Sequence, residues 1–384
     1  MRVERIRGDF PPLAKYTYLD SASTGLIPKT SYEAVKSFID EYYSEGENWD
    51  YVLESVVECR RLFSSLIGAE FKEIAILPNV STALSLVALS INFKKNDNVV
   101  AASSNFPTNL DIWFSLRRRG LFKEVRLAEG LEDDIEKLID DETKVVSIDA
   151  VGWLRGYAYD LKRLAAKAHE HGALFISDIF HAAGVIPLDL HRLDIDIAMC
   201  GSYKWLNAPP GAAFLYVKEE LLDKLAPPVL GWMGTRDSVI NRMLRGEPLF
   251  ESMFDAENPE PSGDASRYEL GTWPSITVIG LRASLQYHLN LDEAEKHRHV
   301  TSLATYTREQ LKEMKLEIID EQNPQVSGIV SFKAEKPLIL AENLKRAGIV
   351  VSARPGLVRI SHHFYNSYAD VEKLLTALKK RQTK

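Results

Sequence analysis

Short apolar runs alternate with helix-like patterns between about Glu73 and Val217. Each run is about four to five residues long, which suits a buried strand. The strand candidates are residues 74–77, 99–102, 145–148, 174–177 and 195–199. Because helical patterns separate strands of this kind in parallel sheets, we predict an α/β domain with a largely parallel sheet.

The best-defined helix of this region is predicted over residues 160–171. Asp160 suits the N-cap, because its carboxylate can accept hydrogen bonds from the first turn. Leu161, Leu164 and Ala168 then form one apolar stripe. Gly172 is typical of a helix C-terminus. The helix leads directly into the fourth strand candidate.

The pattern changes after residue 227. Residues 227–275 are rich in Gly, Pro, Asn and Asp and have little periodicity, which indicates a long surface excursion that serves a site or a partner. The region from residue 281 begins with helical patterns and continues with strand-like and helical runs. These runs are residues 328–332, 339–347, 349–353, 357–361 and 369–380.

This organisation predicts two domains. The large α/β domain covers residues 15–280 and includes the 227–275 excursion. A smaller α+β domain covers residues 281–384, and we expect the N-terminal segment 1–14 to join it.

Composition limits the classes of partner. The net charge of -7 and pI near 5.8 argue against a general nucleic-acid or anionic-membrane surface. No apolar run approaches bilayer-spanning length, and the N-terminus has no apolar core of signal-peptide type. Cys59 and Cys200 match neither a disulfide framework nor a zinc site. We therefore expect a cytoplasmic protein without a structural metal.

Reactive side chains follow the strand candidates, at the sheet edge where α/β proteins bind ligands. Lys204 follows the fifth run and lies next to Tyr203 and Trp205. Burial there would lower the pKa of the amine, whereas an exposed surface lysine is the alternative. Pyridoxal phosphate needs such a lysine for a Schiff base, a carboxylate for its ring nitrogen, a flat side chain against its ring and donors for its phosphate.

The other groups that this cofactor needs are also present. Asp178 directly follows the fourth run and would pair with the ring nitrogen, although a helix N-cap is its ordinary alternative. His181, three residues later, would lie beside the ring oxygen. Phe106, in a polar loop after the second run, is a candidate for stacking on the ring, and a plain core position is equally compatible with its pattern.

Hydroxyl groups provide candidate phosphate donors. Ser81 and Thr82 open a predicted helix over residues 83–91, whose N-terminal amides favour an anion. Ser202 and Tyr203, beside the lysine, would add two more hydroxyls. As isolated features these are weak, because Ser and Thr cap many helices.

Arg359 interrupts an apolar strand-like run, where an arginine is costly without an anionic partner. A bidentate clamp on the α-carboxylate of an amino acid fits that position. The alternative is a charge on the solvent face of an edge strand.

The set of motifs resembles the class V aminotransferase family of the fold-type-I pyridoxal phosphate enzymes, and the resemblance covers nearly the whole chain. The motifs are Asp178-x-x-His181-x-x-Gly184, Gly201-Ser202-x-Lys204-Trp205, Arg267-Tyr268-Glu269-x-Gly271-Thr272 and Val358-Arg359-Ile360-Ser361-x-His363-x-Tyr365-Asn366. The resemblance implies the roles given above for Lys204, Asp178, His181 and Arg359. It also implies a homodimer in which Thr272 reaches the phosphate of the neighbouring subunit.

Two branches of this family offer further comparison. The segments 202–208 and 105–108 are similar to kynureninases, and Gly231-Trp232-Met233-Gly234 resembles their aromatic substrate loop, which implies that Trp232 binds substrate. Asn109 and Thr235 depart from the aspartate and histidine common there. Cysteine desulfurases carry a nucleophilic cysteine shortly before the clamping arginine, and residues 352–356 contain none.

We therefore expect an aminotransferase that acts on a small amino acid through a Schiff base on Lys204. A kynureninase-like hydrolase or lyase and an epimerase are the alternatives, because reaction choice depends on substrate-side groups such as Trp232, Trp153 and Arg155. A desulfurase is disfavoured. Intact Lys204 and Asp178 oppose a pseudoenzyme.

Overall fold

The computed structural model describes residues 3–249, 258–319 and 327–382, with side chains up to residue 380. Part of the predicted surface excursion, residues 250–257, lies outside the described residues. So do residues 1–2, 320–326 and 383–384, which belong to the predicted small domain and the segment joined to it.

The strands alternate with helices through most of the described chain. The strands are β1 Thr17–Tyr18, β2 Ile74–Leu77, β3 Asn98–Ala102, β4 Glu124–Ala128, β5 Thr143–Asp149, β6 Leu174–Asp178, β7 Ile197–Gly201, β8 Ala213–Val217, β9 Ile329–Lys333, β10 Ile349–Val350, β11 Ser352–Arg354 and β12 Leu357–Ser361. The helices are α1 Val3–Arg7, α2 Lys29–Glu45, α3 Trp49–Ile67, α4 Val80–Ser90, α5 Pro107–Arg118, α6 Glu132–Glu136, α7 Leu161–Glu170, α8 Glu219–Leu222, α9 Val239–Arg245, α10 Ser275–Leu289, α11 Glu293–Glu313, α12 Pro337–Arg346 and α13 Tyr368–Gln382.

A seven-stranded sheet forms the centre of the molecule, in the order β2-β8-β7-β6-β5-β3-β4. Strands β3 to β7 are parallel to their neighbours within that set, while β8 runs antiparallel between β2 and β7. The predicted α/β fold with a mostly parallel sheet is confirmed, and all five predicted runs overlap its strands, although β7 begins at Ile197, two residues later than predicted. The apolar pattern did not predict β4 and β8 as strands. Strand β4 is an edge strand with half-buried side chains, so it shows no continuous apolar run.

A second sheet lies in the C-terminal part, where β11, β12 and β9 pair antiparallel. Its apolar core is distinct from the core around the large sheet. The N-terminal residues contact both parts, because Phe10 packs in the large core while β1 pairs with β10. The domain bounds given above stay a prediction.

The parallel strands place polar side chains at one edge of the sheet. Asp149 at the end of β5 lies opposite Asp178 at the end of β6 in the strand register. Strand β7 ends at Gly201, three residues before Lys204. A Cβ at Gly201 would lie 2.2 Å from the Phe180 ring, so glycine leaves the room that this ring occupies. Sequence-distant polar groups therefore meet at the carboxyl ends of β5, β6 and β7.

Helix α4 differs from its prediction. It begins at Val80, and the Asn79 side chain accepts a hydrogen bond of 2.8 Å from the Thr82 N–H, so Asn79 is the N-cap. Ser81 and Thr82 therefore lie inside the first turn, and the predicted start at residue 83 is wrong. The first-turn N–H groups still face the same sheet edge as Lys204.

The region predicted as an excursion contains α9 and a short 3-10 turn over Ala265–Tyr268. Among the described helices, none is both long enough and apolar enough to pass through a bilayer.

Candidate active site

Lys204 is buried just beyond β7, and its amine faces a cavity of about 130 Å³. The Nζ atom lies 4.1 Å from the ring centre of Phe180 and 5.4 Å from that of Phe106. Burial lowers the pKa of the amine to about 8, while the nearby Asp178 carboxylate opposes the shift. At pH 7 about one tenth of the Lys204 amine is therefore uncharged, far more than for an exposed lysine.

His181 lies between Lys204 and the indole of Trp205. Trp205 Nε1 donates a hydrogen bond of 2.9 Å to His181 Nδ1, so the imidazole hydrogen belongs on Nε2. That Nε2 lies 3.1 Å from Lys204 Nζ. Burial, Lys204 and Arg359 hold the pKa of His181 well below its usual value, so the imidazole is neutral.

Asp178 lines the same cavity as Lys204. Its Oδ1 accepts a hydrogen bond of 2.8 Å from the Phe180 N–H. Burial raises the pKa of this carboxyl, while the Phe180 amide and Lys204 act in the opposite direction. A cationic ring nitrogen placed in the cavity would stabilise the carboxylate form.

Asp149 is a site residue to which sequence analysis gave no role. It is buried, lines the cavity and accepts hydrogen bonds from the Phe106 N–H, at 2.5 Å, and from Asn109 Nδ2. Burial and the neighbouring Asp178 raise its pKa well above the usual value. The available sequence signal was an aspartate at the end of an apolar strand. Its contacts show that it holds the loop that carries Phe106.

The opposite end of the cavity meets the first turn of α4. Ser81 and Thr108 line the cavity, and their hydroxyl oxygens lie 3.1 Å apart in a hydrogen bond. Tyr203 and Gly211 line it as well. The N-terminus of a helix with hydroxyl groups beside it suits a phosphate.

Three predicted cofactor ligands lie elsewhere in the structure. The Ser202 hydroxyl is buried and donates to the Pro209 carbonyl at 2.6 Å. The Thr82 hydroxyl donates to Asn79 at 3.0 Å, and Thr82 and Thr272 line a separate small cavity beside Trp273. Contacts of these three residues with a cofactor stay predictions.

The two predicted substrate ligands differ in their placement. Arg359 is only 1% exposed on β12, the middle strand of the small sheet, so the alternative of a solvent-facing charge is wrong. It donates to the Trp153 carbonyl at 2.8 Å and to the Ser23 hydroxyl at 2.7 Å. Trp232 packs partly buried against the large core, and its predicted contact with substrate stays a prediction.

These residues fit pyridoxal phosphate. The cavity combines an amine of lowered pKa, a buried carboxylate, a neutral imidazole with an N–H directed inward, an aromatic ring and a helix N-terminus. The described residues contain no cluster of three or more His, Cys, Asp or Glu able to hold a metal ion. The donor set therefore matches an aromatic ring that carries a phosphate, and Lys204, Asp178, His181, Phe106 and Ser81 would hold it.

The family model for Aminotransferase class-V matches residues 17–374. The chain belongs to this family. It is 29% identical over 366 residues to the uncharacterized aminotransferase YcbU of Bacillus subtilis, with 95% of this chain and 94% of that protein covered. It is 31% identical over 300 residues to a kynureninase of Pseudomonas fluorescens, with 74% of this chain and 68% of that protein covered.

Solved structures agree with this assignment. The apo cysteine desulfurase of Thermococcus onnurineus NA1 has a TM-score of 0.86 and 26% identity, and the match covers 99% of this chain and 98% of that one. The predicted fold-type-I architecture is confirmed, and the protein is a pyridoxal phosphate enzyme. When bound, this cofactor supplies an electron sink for negative charge that develops on the substrate α-carbon.

The lowered pKa of Lys204 predicts a pH dependence for cofactor attachment. The neutral amine is the reactive form, so the rate at which the apoenzyme forms its reducible covalent link should rise with pH, reach half its maximum near pH 8 and level off above about pH 9. Borohydride trapping followed by mass spectrometry of the Lys204 peptide measures this rate. A rate that keeps rising to about pH 10, as for an exposed lysine, would contradict the burial argument.

The contacts of Asp149 predict that Asp149 and Asn109 can be exchanged for one another. Asp149→Asn places an amide donor against the Asn109 amide donor, so the Phe106 loop should loosen and pyridoxal phosphate should bind roughly 10- to 100-fold more weakly. The double change Asp149→Asn with Asn109→Asp restores donor opposite acceptor and should recover most of the affinity. Absorbance titration of the apoenzymes measures it.

A double variant no better than Asp149→Asn would show that the position of the negative charge, rather than the hydrogen-bond pairing, determines cofactor binding. Single-variant affinity equal to wild type would show that the loop does not depend on Asp149.

Proposed function

We propose that the protein is an aminotransferase that acts on a small amino acid. The observation that carries this proposal is the placement of one amine of lowered pKa, Lys204, in the same cavity as the buried carboxylate of Asp178. Transamination moves one proton from the substrate α-carbon to the cofactor, and a single base that reaches both positions is sufficient.

Lys204 is suited to that proton movement. Once the substrate amine has displaced it, its pKa of about 8 lets it take a proton near neutral pH and give the proton back. His181 does not compete for this proton, because its pKa lies well below the usual value and its Nδ1 already accepts from Trp205. Its Nε2, which carries the hydrogen, lies 3.1 Å from Lys204 Nζ and would orient the amine.

Asp178 and Arg359 would hold the cofactor ring and the substrate. Asp178 would keep a proton on the ring nitrogen, and that proton would strengthen the electron sink that the cofactor supplies. Arg359 offers a buried cation to the α-carboxylate, and burial and the neighbouring Arg354 lower its pKa to about 10, so an anionic partner would stabilise it. The substrate α-carbon would lie between them.

The cysteines disfavour a desulfurase. Cys59 and Cys200 are buried, and burial raises the pKa of both thiols, so neither is a ready thiolate nucleophile. The small sheet turns from β11 to β12 through Pro355 and Gly356, without a cysteine. The two unpaired thiols also support our proposal of a cytoplasmic, reducing location.

Kynureninase-like cleavage is the second candidate, favoured by the 31% identical relative and by the similar 105–108 loop. The Asn109 departure argues against it, because this side chain donates to Asp149 and adds no carboxylate of its own. Epimerisation needs a second base on the other face of the substrate. Asp149 and Asp178 line the cavity, but both already accept hydrogen bonds from the backbone. His181 and Tyr203 line it as well, but burial lowers the pKa of the imidazole and raises the pKa of the phenol, so neither is a ready base.

The proposal predicts a half-reaction. Holoenzyme mixed with its amino acid should lose its violet absorbance, form the amine form of the cofactor and release the keto acid in stoichiometric amount. Lys204→Ala should abolish this conversion, whereas Lys224→Ala, an exposed lysine, should not affect it. Spectra and keto-acid assay measure both.

Other products would replace the proposal with an alternative. Sulfide from cysteine would indicate a desulfurase, and anthranilate from kynurenine would indicate a kynureninase. Exchange of the α-proton with inversion would indicate an epimerase. A protein that stays colourless with added cofactor would indicate a pseudoenzyme.

We further propose a homodimer with a site shared across its interface. Support comes from α2, whose exposed face carries Tyr32, Ile39, Tyr42 and Tyr43, with Tyr43 93% exposed. An aromatic patch of this kind is costly in water and is typical of interfaces. Helix α2 packs on α10, which begins shortly after Thr272, so the patch and the residue predicted to reach the neighbouring phosphate belong to one region.

Charging this patch should dissociate the dimer. Ile39→Glu with Tyr43→Glu should convert a dimer of about 87 kDa, twice the 43.3 kDa chain, to monomer in sedimentation velocity. Glu33→Gln, on another face of the same helix, should leave the mass unchanged. A wild-type protein that sediments as a monomer at micromolar concentration would contradict the proposal.

A further inference from the structure

Two arginines meet on one serine oxygen beside the active site. Arg359 Nη2 donates to Ser23 Oγ at 2.7 Å, and Arg354 Nη2 donates to the same oxygen at 2.9 Å. A serine hydroxyl has two lone pairs, so it can accept both bonds. The two guanidinium groups are therefore neighbours, although Ser23 lies more than 300 residues from either in sequence.

Like charges this close need compensation. Asp20 Oδ1 lies 3.7 Å from Arg359 Nη2. Among the described residues, Asp20 is the carboxylate that forms an ion pair with this guanidinium. Burial raises the pKa of Asp20, and its Oδ1 has no hydrogen-bond partner in the described part of the chain. Two cations therefore share one poorly solvated carboxylate.

Both arginines keep unused donors. In the described structure, the Nε atoms of Arg354 and Arg359 are shielded from solvent and have no hydrogen-bond partner. Arg354 Nη1 donates to the Ala353 carbonyl, next to it in sequence. A buried charged donor without a partner costs free energy that an anionic ligand would recover.

The arginines are connected with the cofactor cavity through Trp153. The Trp153 ring lies 5.9 Å below the Arg354 guanidinium and makes an edge-to-face contact of 5.5 Å with Phe106. Phe106 in turn lines the cavity and faces Lys204. Phe106 and Trp153 therefore form a chain of contacts from the cavity at Lys204 to Arg354, and Arg359 joins it through the Trp153 carbonyl.

We propose that Arg354 is a second anion-binding residue of the substrate site and that the preferred substrates are amino acids with an acidic side chain. Arg359 binds the α-carboxylate, and Arg354 binds the carboxylate of the side chain. This inference rests on the proposed aminotransferase function and adds its substrate class.

Charge matching supports this substrate class. Arg354 and Arg359 together with Asp20 leave one positive charge at this end of the site. An acidic amino acid has two carboxylates and one ammonium group, so it carries one negative charge. A neutral amino acid carries no net charge and would leave the second arginine without an anion.

Ligand binding tests the subsite without catalysis. Isothermal titration of the wild-type holoenzyme should show glutarate binding more tightly than butyrate. Arg354→Met keeps the length of the side chain and removes its charge, so it should weaken glutarate binding roughly 10- to 100-fold and butyrate binding less than about threefold. Arg346→Met, an exposed arginine at the end of α12, should change neither affinity.

Two results would overturn the proposal. Equal wild-type affinities for glutarate and butyrate would mean that there is no second anion site. An equal loss of both affinities in Arg354→Met would mean that Arg354 only supports the α-carboxylate clamp. Should Arg354→Met fail to fold, Arg354→Lys keeps a charge without the planar fork and should retain a reduced preference for glutarate.

Turnover then separates the subsite from the reaction. The ratio of kcat/KM for glutamate or aspartate to that for alanine should fall roughly tenfold or more in Arg354→Met. A holoenzyme that prefers glutarate but forms no amine form of the cofactor with any amino acid would contradict the aminotransferase proposal. The same result would still support the anion subsite.

Discussion

The site depends on one amine kept out of water at the end of a parallel strand. Burial destabilises the charged form of Lys204, and Asp178 limits how far the pKa falls. The amine would be far less basic if His181 also carried a charge. Burial prevents this, together with Lys204 and the two arginines, and keeps the imidazole neutral. The Trp205 indole N–H donates to Nδ1, so this hydrogen bond determines the tautomer of the neutral ring.

The sheet supplies the rest of the geometry. Strands β5, β6 and β7 are adjacent and parallel, so their carboxyl ends deliver Asp149, Asp178 and Lys204 to one edge. Asp149 does not stand free there, since it holds the backbone of Phe106 and the side chain of Asn109. The aromatic wall of the cavity is therefore held by the strand that lies next to the one that carries Asp178.

Much of this was predictable where the signal is local. Asp178 directly follows an apolar run, and Lys204 and His181 come within five residues of one. A local pattern does not show which partner a side chain chooses. The predicted start of α4 is wrong because Asn79 caps the helix, whereas Ser202 donates to Pro209 and its contact with a cofactor stays a prediction. Long-range contacts were beyond reach for the same reason, because nothing near Ser23 in sequence indicates two arginines.

The acidic and the basic side chains of the site are separated from each other. The carboxyl groups of Asp149 and Asp178 lie near Lys204, whereas Arg354 and Arg359 lie on the far side of Phe106 and Trp153. Both arginines lower the pKa of His181, and Arg359 also lowers the pKa of the Lys204 amine. In an acidic amino acid the amine and one carboxylate share the α-carbon, and the second carboxylate extends from it. Such a molecule would present its amine to Lys204 and its two carboxylates to the arginines. The opposite orientation would place a carboxylate against Asp149 and Asp178, and the low dielectric of the cavity makes such a like-charge contact costly.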